Sequence, residues 1–393
     1  MPESGDKRAD ATRLIHPRDS GAPVSRTVGP AIQRGSTVLL PSAADLYDHS
    51  QITYGRQGLS AQAALKAALC ELEGGAGCEL YPSGLAAVTA AMLAVLKAGD
   101  EVLVVDTVYA PTRRFCDRML ARYGVKVGYY PARATAEEIL ARGGPALRLI
   151  VLESPGSLTL EMQDAPAIAK AARARGVLTL MDNTWGAGLL FKPLAHGVDL
   201  SVQALTKYVC GASDMFMGVA IASDPKLVKA LAEGVMQLGW AVAPDEAYQA
   251  LRGLRTLALR LARHGESGLA IAQWLARQPE VLEVIHPGLP VSPDHAVWRR
   301  DYNGACGLFS FLLKPVGQDV VNAFLDRLEL FGLGFSWGGF ESLAISSGDQ
   351  LSQRAFPPDL AGPLVRLHIG LEEVEDLKAD LRRGLDVVAK AVG

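Results

Sequence analysis

Apolar positions are sparse and irregular before residue 59 and regularly spaced after it. Residues 1–58 combine polar stretches and several prolines with one short apolar segment, GSTVLLPS. Burial of apolar surface is the main force that favours folding, and a segment with so few apolar residues buries little by itself. We therefore predict that residues 1–58 form an arm that packs on the main body or on a neighbouring subunit.

Four continuous apolar runs alternate with helical patterns in the next part of the chain. The runs are EVLVVD, RLIVLES, VLTLMDNT and VDLSVQALTKY. Segments such as SAQAALKAALCELEGG, LAAVTAAMLAVLKAGD and APAIAKAARARG repeat apolar residues at helical spacing instead. Apolar strands between helices are typical of a parallel sheet covered on both faces. The pattern predicts an open α/β sheet with right-handed crossovers in a large domain, residues 59–250.

A second, smaller unit is predicted at the C-terminal end. One long helical pattern runs from about Pro244 to Gln278 and leads out of the large domain. The segments GLFSFLLKP and PLVRLHIGL have the pattern of strands, and EEVEDLKADLRRGLDVVAKAV has that of an amphipathic helix. We therefore expect a small α/β domain over residues 251–393.

Composition changes this picture mainly by exclusion. Hydrophobic residues make up 49% of the 393 residues and charged residues 21%, which excludes a disordered chain. The formal net charge is −3 and no polybasic run occurs, so we expect neither nucleic acid nor a membrane as a partner. The five cysteines are scattered without a CxxC motif, which argues against a disulfide framework and a zinc site. Without a secretory signal or an 18-residue apolar run, the sequence predicts a cytoplasmic protein.

Candidate chemistry lies where predicted strands end. Asp182 lies near the end of the run VLTLMDNT, and Lys207 lies near the end of the next run, VDLSVQALTKY, 25 residues later. In open α/β sheets, ligands bind beyond the carboxyl ends of the strands, so these two side chains are expected to face one crevice. Ser83 and Gly84 precede a helix, and a helix N-terminus suits a phosphate group. Each feature alone is an ordinary cap or solvated side chain, but the combination favours pyridoxal 5′-phosphate (PLP), which needs a lysine and an acidic partner.

Longer motifs make a family resemblance specific. The chain is similar to the Cys/Met-metabolism PLP-dependent enzymes from about Thr12 to Glu372, nearly its whole length. The resemblance implies the aspartate-aminotransferase-type fold (fold type I). Within the family, the segment ALTKYVCGASD and Trp337 favour the bacterial cystathionine β-lyases. The matching segments are TYGRQGLSAQAALKAALCELEGG, YPSGLAAV, DTVYAPTRRF, MDNTWGAGLLFKPLAHGVDLSVQALTKYVCGASDMFMG, LRGLRTLALRL, SWGGFESL and VRLHIGLE.

The resemblance also implies a role for each matching residue. Lys207 would hold PLP covalently, Asp182 would pair with its ring nitrogen, and Tyr109 would stack on the ring; these three would be catalytic. The phosphate would be bound by Gly84, Leu85 and Thr206, and from a neighbouring subunit by Tyr54 and Arg56. The substrate would be bound by Arg366, Ser336, Trp337 and Tyr109. The resemblance further implies active sites shared between two subunits, and a homotetramer built as a dimer of dimers.

The implied reaction is β-elimination of L-cystathionine, or of other cysteine S-conjugates and cystine, to a thiol, pyruvate and ammonia, as part of methionine biosynthesis. A γ-elimination or γ-replacement enzyme of the same family is one alternative, and a non-catalytic PLP-binding protein is another. Two positions depart from the common family pattern. Ala204 stands where many members have serine, and Leu85 stands where methionine is common. Neither departure removes a catalytic group, but both leave substrate preference open.

Overall fold

A seven-stranded sheet forms the larger part of the structure, a computed structural model that describes residues 8–15, 27–48 and 50–393. Its strand order is β1-β7-β6-β5-β4-β2-β3. The five strands from β6 to β3 run parallel, whereas β7 is antiparallel to both of its neighbours. The strands are β1 (Gly77–Tyr81), β2 (Glu101–Val105), β3 (Lys126–Tyr130), β4 (Leu147–Glu153), β5 (Leu178–Asp182), β6 (Leu200–Ala204) and β7 (Gly218–Ala222).

The four apolar runs of the sequence are β2, β4, β5 and β6, and the prediction that they form a parallel sheet is confirmed. The strands β1, β3 and β7 were not predicted from the sequence. The two reversals around β7 cancel, so β1 runs parallel to β6. The carboxyl ends of β1, β5 and β6 therefore lie at the same edge of the sheet.

Helices cover this sheet and form connections between its parallel strands. The helix α2 (Ser60–Glu73) ends at Gly74, which adopts a left-handed conformation with φ of 76° that favours glycine. The helix α3 begins after Ser83, whose Oγ accepts a hydrogen bond from the backbone N–H of Ala86. The helices of this part are α1 (Asp10–Ile15), α2 (Ser60–Glu73), α3 (Gly84–Val95), α4 (Ala110–Phe115), α5 (Ala136–Arg142), α6 (Ala165–Ala174) and α7 (Pro225–Leu238).

The C-terminal part contains a five-stranded sheet of order β10-β11-β12-β9-β8. Its pairs are antiparallel except β10 with β11, and the two predicted strands, β9 and β12, are neighbours. The strands are β8 (Val281–Ile285), β9 (Leu308–Leu313), β10 (Gly332–Leu333), β11 (Leu343–Ser346) and β12 (Leu364–His368), and the helices are α8 (Pro244–Arg255), α9 (Leu257–Leu275), α10 (His295–Asp301), α11 (Gln318–Asp326) and α12 (Val374–Val392).

The long helical pattern from Pro244 to Gln278 is two helices, α8 and α9, which meet at Thr256. The backbone of Thr256 has φ of −104° and ψ of 4°, outside the helical region, and this ends α8. The prediction of one continuous helix was therefore wrong at this residue. One set of buried apolar side chains extends from the large sheet into the small one. The domain bounds at 59–250 and 251–393 stay a prediction.

The described part of the arm packs on the body of its own chain. Arg34 pairs with Asp245 at the start of α8. Within the arm, the Gly55 N–H donates to the Ser36 carbonyl at 2.7 Å. Short 3₁₀ turns cover Ala43–Tyr47 and Gly55–Gln57. Residues 1–7, 16–26 and 49 of the arm lie outside the described residues. Within the residues that are described, no helix is both long and apolar enough to cross a membrane.

Candidate active site

Two carboxyl groups and a lysine lie at the carboxyl ends of neighbouring strands. Asp182 is the last residue of β5, and Lys207 follows the end of β6. The charges of these two side chains act on each other. Glu153, the last residue of β4, is the register partner of Asp182. The structure thus brings together the aspartate and the lysine that the sequence singled out, and adds a second carboxyl group beside them.

Asp182 is held by the segment that follows it. Its Oδ1 accepts hydrogen bonds from the backbone N–H and the hydroxyl of Thr184, at 3.0 and 2.5 Å. The Thr184 hydroxyl in turn accepts the backbone N–H of Ala204 at 2.9 Å, which ties the ends of β5 and β6 together. Burial raises the pKa of Asp182, and the Thr184 hydrogen bonds and the Lys207 charge oppose that shift.

Glu153 links this edge to Tyr109. Its Oε2 accepts the Tyr109 backbone N–H at 2.7 Å, at the residue that precedes α4. Burial and the neighbouring charge of Asp182 raise the pKa of Glu153 well above its ordinary value. Burial and the charges of Glu153 and Asp182 also raise the pKa of Tyr109. Glu153 was not predicted from the sequence, although its place near the end of an apolar run, RLIVLES, is the same signal that distinguishes Asp182.

Lys207 lies between the two sheets. Its Nζ donates a hydrogen bond to Ser336 Oγ at 2.9 Å and stands 5.2 Å from the centre of the Trp337 ring. Burial and the positive charge of Arg366 lower the pKa of Lys207 to about 8, against the opposing effect of Asp182. An amine with this pKa is partly uncharged near neutral pH, which suits a nucleophile or a base.

The start of α3 lies against the end of β6. A Cβ atom on Gly84 would overlap the Ala204 side chain and come within 2.8 Å of its Cα, so only glycine permits this approach. The backbone N–H groups of Gly84 and Leu85 are in the first turn, where a helix offers no acceptor of its own. The smaller side chain of Ala204, relative to the common serine, is thus in direct contact with the start of the helix.

Thr206 is near this helix start but has another partner. Its hydroxyl donates to the Met217 carbonyl at 3.2 Å and accepts the Met217 N–H at 3.0 Å. The single hydroxyl proton of Thr206 is therefore directed into the protein. A phosphate contact through this hydroxyl requires its rotation away from Met217.

Arg366 occupies the small sheet and faces the same space. It lies on β12, and one terminal nitrogen donates to the carbonyl groups of Phe335 and Ser336 at 3.0 and 3.1 Å. Its Nε is buried and has no hydrogen-bond partner among the described residues. Burial lowers the pKa of Arg366 to about 10, so the guanidinium stays charged near neutral pH. A buried, partly unpaired guanidinium is suited to an anion such as a carboxylate.

Tyr54 and Arg56 take no part in this cluster within one chain. The Tyr54 side chain is exposed, and Arg56 donates to the Met236 carbonyl at 2.8 Å near the end of α7. No contact between either residue and Lys207 occurs in residues 8–15, 27–48 and 50–393. Their assignment to a neighbouring subunit's site stays a prediction. In the same ranges, no group of three or more His, Cys, Asp or Glu side chains is placed to hold a metal.

Comparisons with known proteins extend this picture along the whole chain. A profile of the family described as Cys/Met metabolism PLP-dependent enzyme matches residues 11–386. A protein of Rhizobium johnstonii is 48% identical over 381 residues, which cover 95% of each chain. Cystathionine beta-lyase MetC of Escherichia coli is 41% identical over 391 residues, 96% of this chain and 98% of that protein. The solved structure of metB from Corynebacterium glutamicum has a TM-score of 0.90 at 28% identity and covers 97% of this chain and 98% of its own.

Proposed function

Because the chain belongs to the Cys/Met metabolism PLP-dependent enzymes, we propose that it catalyses the β-elimination of L-cystathionine to homocysteine, pyruvate and ammonia. The observation that carries this proposal is the 41% identity, over nearly the whole chain, to a relative named cystathionine beta-lyase. The position of Lys207 between Asp182 and Arg366 supports it, since the three groups suit a cofactor and an amino-acid substrate together.

The described residues fit PLP on chemical grounds. Lys207 offers a partly uncharged amine for covalent attachment, and Asp182 offers a carboxyl group for the ring nitrogen. The N–H groups of Gly84 and Leu85 and the close approach allowed by Gly84 form a cradle for a phosphate. Tyr109 would contribute the ring that stacks on the cofactor. We propose these roles for the residues, with Thr206 as a further phosphate contact after its hydroxyl turns.

Arg366 is proposed to orient the substrate. Its unpaired Nε and its fork geometry suit the α-carboxylate of an amino acid, and its burial strengthens the pairing. Ser336 and Trp337 would line the same side of the substrate pocket. With the carboxylate fixed there, the Cα–H bond of the substrate is held within reach of Lys207.

Side chains of the protein then carry out the proton transfers. Bound PLP supplies a sink for the negative charge that develops at the substrate Cα. Lys207, with its pKa near 8, takes the Cα proton as a general base. Tyr109 keeps its hydroxyl proton at neutral pH because its pKa is raised, so Tyr109 or Lys207 can protonate the sulfur as the Cβ–S bond breaks. Water then converts the remaining three-carbon unit to pyruvate and ammonia.

The identity of the keto acid tests this proposal. Purified protein with PLP is mixed with L-cystathionine, and the keto acid is identified by mass spectrometry. Pyruvate with homocysteine is expected. A product of 2-oxobutyrate with cysteine would instead favour a γ-elimination enzyme, and no keto acid would favour a PLP-binding protein without this activity. The Lys207→Ala variant is the control for chemistry that free PLP performs by itself.

We also propose that the enzyme acts in the cytoplasm as a homotetramer with active sites shared between subunits. The exposed side chain of Tyr54 and the exposed apolar residues Leu39 and Tyr47 of the arm support contact with another subunit. The expected partners are small amino-acid substrates and further copies of the chain.

A further inference from the structure

One turn of the small sheet covers Lys207. We define the covering turn as residues 334–339, which connect β10 to the segment before β11. Gly338 in this turn has φ of +87°, and a Cβ atom there would lie 2.8 Å from the carbonyl carbon of Lys207. The turn therefore rests directly on the Lys207 backbone. It also carries Ser336, which accepts the Lys207 hydrogen bond, and Trp337.

Two residues of β12 hold the covering turn. Arg366 and His368 are two residues apart, so their side chains leave the strand on the same face. Arg366 binds carbonyl oxygens of the turn, whereas His368 binds an N–H: the Gly338 N–H donates to His368 Nε2 at 3.0 Å. The turn is thus held by complementary contacts from one strand.

Two backbone groups of the covering turn compete for Nε2 of His368. The Gly338 N–H favours the tautomer in which Nε2 is bare and Nδ1 carries the proton, because a nitrogen that accepts an N–H carries no hydrogen. The Gly339 carbonyl, also 3.0 Å from Nε2, favours the opposite tautomer, so the contact to Gly338 depends on which nitrogen carries the proton. Burial and the neighbouring His264, Arg366 and Lys207 lower the pKa of His368 to about 3. The ring is therefore neutral at physiological pH.

His264 on α9 complements this ring. Its Nδ1 lies 2.8 Å from the Ile369 carbonyl, which requires a proton on Nδ1 and leaves Nε2 bare. Its ring centre is 5.2 Å from that of His368. His264 Nε2 and His368 Nδ1 are both buried, and neither has a hydrogen-bond partner among the described residues. His264 thus presents a bare nitrogen beside the His368 ring, which favours the His368 tautomer that carries its proton on Nδ1.

We propose that His368 is a positioning residue, and that His264 fixes its tautomer, so that the covering turn keeps Ser336 over the Lys207 amine. The proposal rests on the proposed function, since it assigns the pair to the site of that reaction. Neither histidine touches the reacting atoms. Each acts through the backbone of the turn, and the chain of contacts runs from Ile369 through His264 and His368 to Gly338.

The chain contains a matched control. His286 is also fully buried, its Nδ1 accepts the Gly288 N–H at 2.9 Å, and burial lowers its pKa to about 4. It differs from His368 in having no contact with the covering turn. His368 accepts its hydrogen bond through Nε2, whereas His286 accepts through Nδ1. Glutamine and asparagine substitutions therefore affect the two sites in opposite ways. Glutamine places its oxygen near the Nε2 position, and asparagine places it near Nδ1.

The experiment compares His368→Gln with His368→Asn by hydrogen exchange of the covering turn in the cofactor-free protein. His368→Gln keeps an acceptor for Gly338 and should exchange like wild type. His368→Asn loses it and should exchange about fivefold faster, the factor expected for one net hydrogen bond. His264→Asn keeps the hydrogen bond to Ile369 but loses Nε2. In this variant the covering turn should exchange faster than in wild type, by a smaller factor than in His368→Asn. His286→Gln should leave the turn at the wild-type rate.

The same variants are then loaded with PLP and assayed. A lower kcat in His368→Asn, with rescue in His368→Gln, is expected because only the former releases Ser336 from Lys207. Equal exchange rates of the covering turn in the two His368 variants would overturn the proposal. An increase in His286→Gln as large as that in His368→Asn would overturn it too. A wild-type exchange rate of the covering turn in His264→Asn would overturn the role assigned to His264. Hydrogen exchange needs neither cofactor nor substrate, so its outcome is independent of the keto-acid assay on the wild type.

Discussion

Glu153 and Asp182 are register partners at the ends of β4 and β5, so two partly buried carboxyl groups lie side by side at the carboxyl edge of the sheet. Burial raises the pKa of both, and the charge of Asp182 raises the pKa of Glu153 further. Glu153 binds a backbone N–H of Tyr109, whereas Asp182 is bound by Thr184 and faces Lys207. The two groups therefore have different partners despite their proximity.

This difference predicts opposite outcomes for two amide substitutions. Asp182→Asn should bind PLP but lose most turnover, because an amide cannot keep the ring nitrogen protonated. Glu153→Gln keeps an acceptor for Tyr109 N–H and should retain most activity. Steady-state kinetics of both variants with L-cystathionine measures the contrast. Wild-type turnover in Asp182→Asn would contradict the role proposed for that aspartate.

Glu153 also predicts a pH dependence of stability. Its folded pKa is raised above the ordinary value of 4.5, so the folded state holds a proton that the unfolded state releases as pH rises past that value. Burial of Glu153 thus costs stability above pH 4.5 and none well below it. Relative to wild type, the free energy of unfolding of Glu153→Gln should increase as pH rises from 4.5. Urea unfolding of the cofactor-free proteins at several pH values measures this, and a difference independent of pH would refute it.

Two glycines predict a matched pair of stability changes. Gly84→Ala would force Cβ against Ala204 and should weaken both folding and PLP binding, by about 1–3 kcal/mol for an overpacked site. Gly234 lies inside α7, where a Cβ atom would meet no other atom within 4 Å, and Gly234→Ala should stabilise the protein by about 0.5–1 kcal/mol. Thermal unfolding and a PLP titration compare the two. Equal effects would show that the approach of α3 to β6 is not close.

Arg366 predicts a change in substrate affinity. Arg366→Lys should raise KM for L-cystathionine strongly, because an ammonium cannot form the forked pair with a carboxylate. Arg382→Lys is the control, since Arg382 makes a forked pair with Glu280 away from Lys207. It should leave KM unchanged. An unaltered KM and kcat in Arg366→Lys would mean that another residue holds the carboxylate.

The shared site predicts complementation between inactive subunits. Arg56→Ala should weaken PLP binding by removal of a phosphate contact from the neighbouring subunit, and Lys207→Ala should abolish covalent cofactor attachment. Mixed under conditions that allow subunit exchange, the two variants should recover part of the activity, because one site of each mixed dimer carries neither change. Native mass spectrometry confirms the exchange. If subunits exchange and no activity returns, Arg56 acts within its own chain, where it already binds the Met236 carbonyl.

Sequence patterns predicted the parts of the fold that depend on neighbouring residues. The strands β2, β4, β5 and β6 are rich in apolar residues because both faces are covered, and α2 ends at a glycine for a local reason. The edge strand β3 has partly exposed residues and an internal glycine, Gly128, which obscure its pattern. The reversal at β7 depends on pairing with strands far away in sequence, which no local pattern reports.

The sequence likewise predicted only those parts of the candidate site that depend on neighbouring residues. Asp182 and Lys207 stand out because polar residues are unusual at the ends of apolar strands. The hydrogen bond from Lys207 to Ser336 joins residues 129 positions apart and needs both sheets to be folded. His368 is the last residue of the buried strand β12, where only the three-dimensional contact with Gly338 distinguishes it from an ordinary core histidine.

The pairing of β1 with β7 has a consequence for synthesis on the ribosome. The start of α3 follows β1, but β1 is joined to β6 only through β7, so its place in the sheet cannot be fixed before residue 222 has left the exit tunnel. The covering turn waits longer still, since β12 supplies the side chains that hold it. A nascent chain halted before residue 364 would contain Asp182 and Lys207 yet lack Arg366 and His368. Assembly of the active site is therefore among the last events in the biogenesis of this protein.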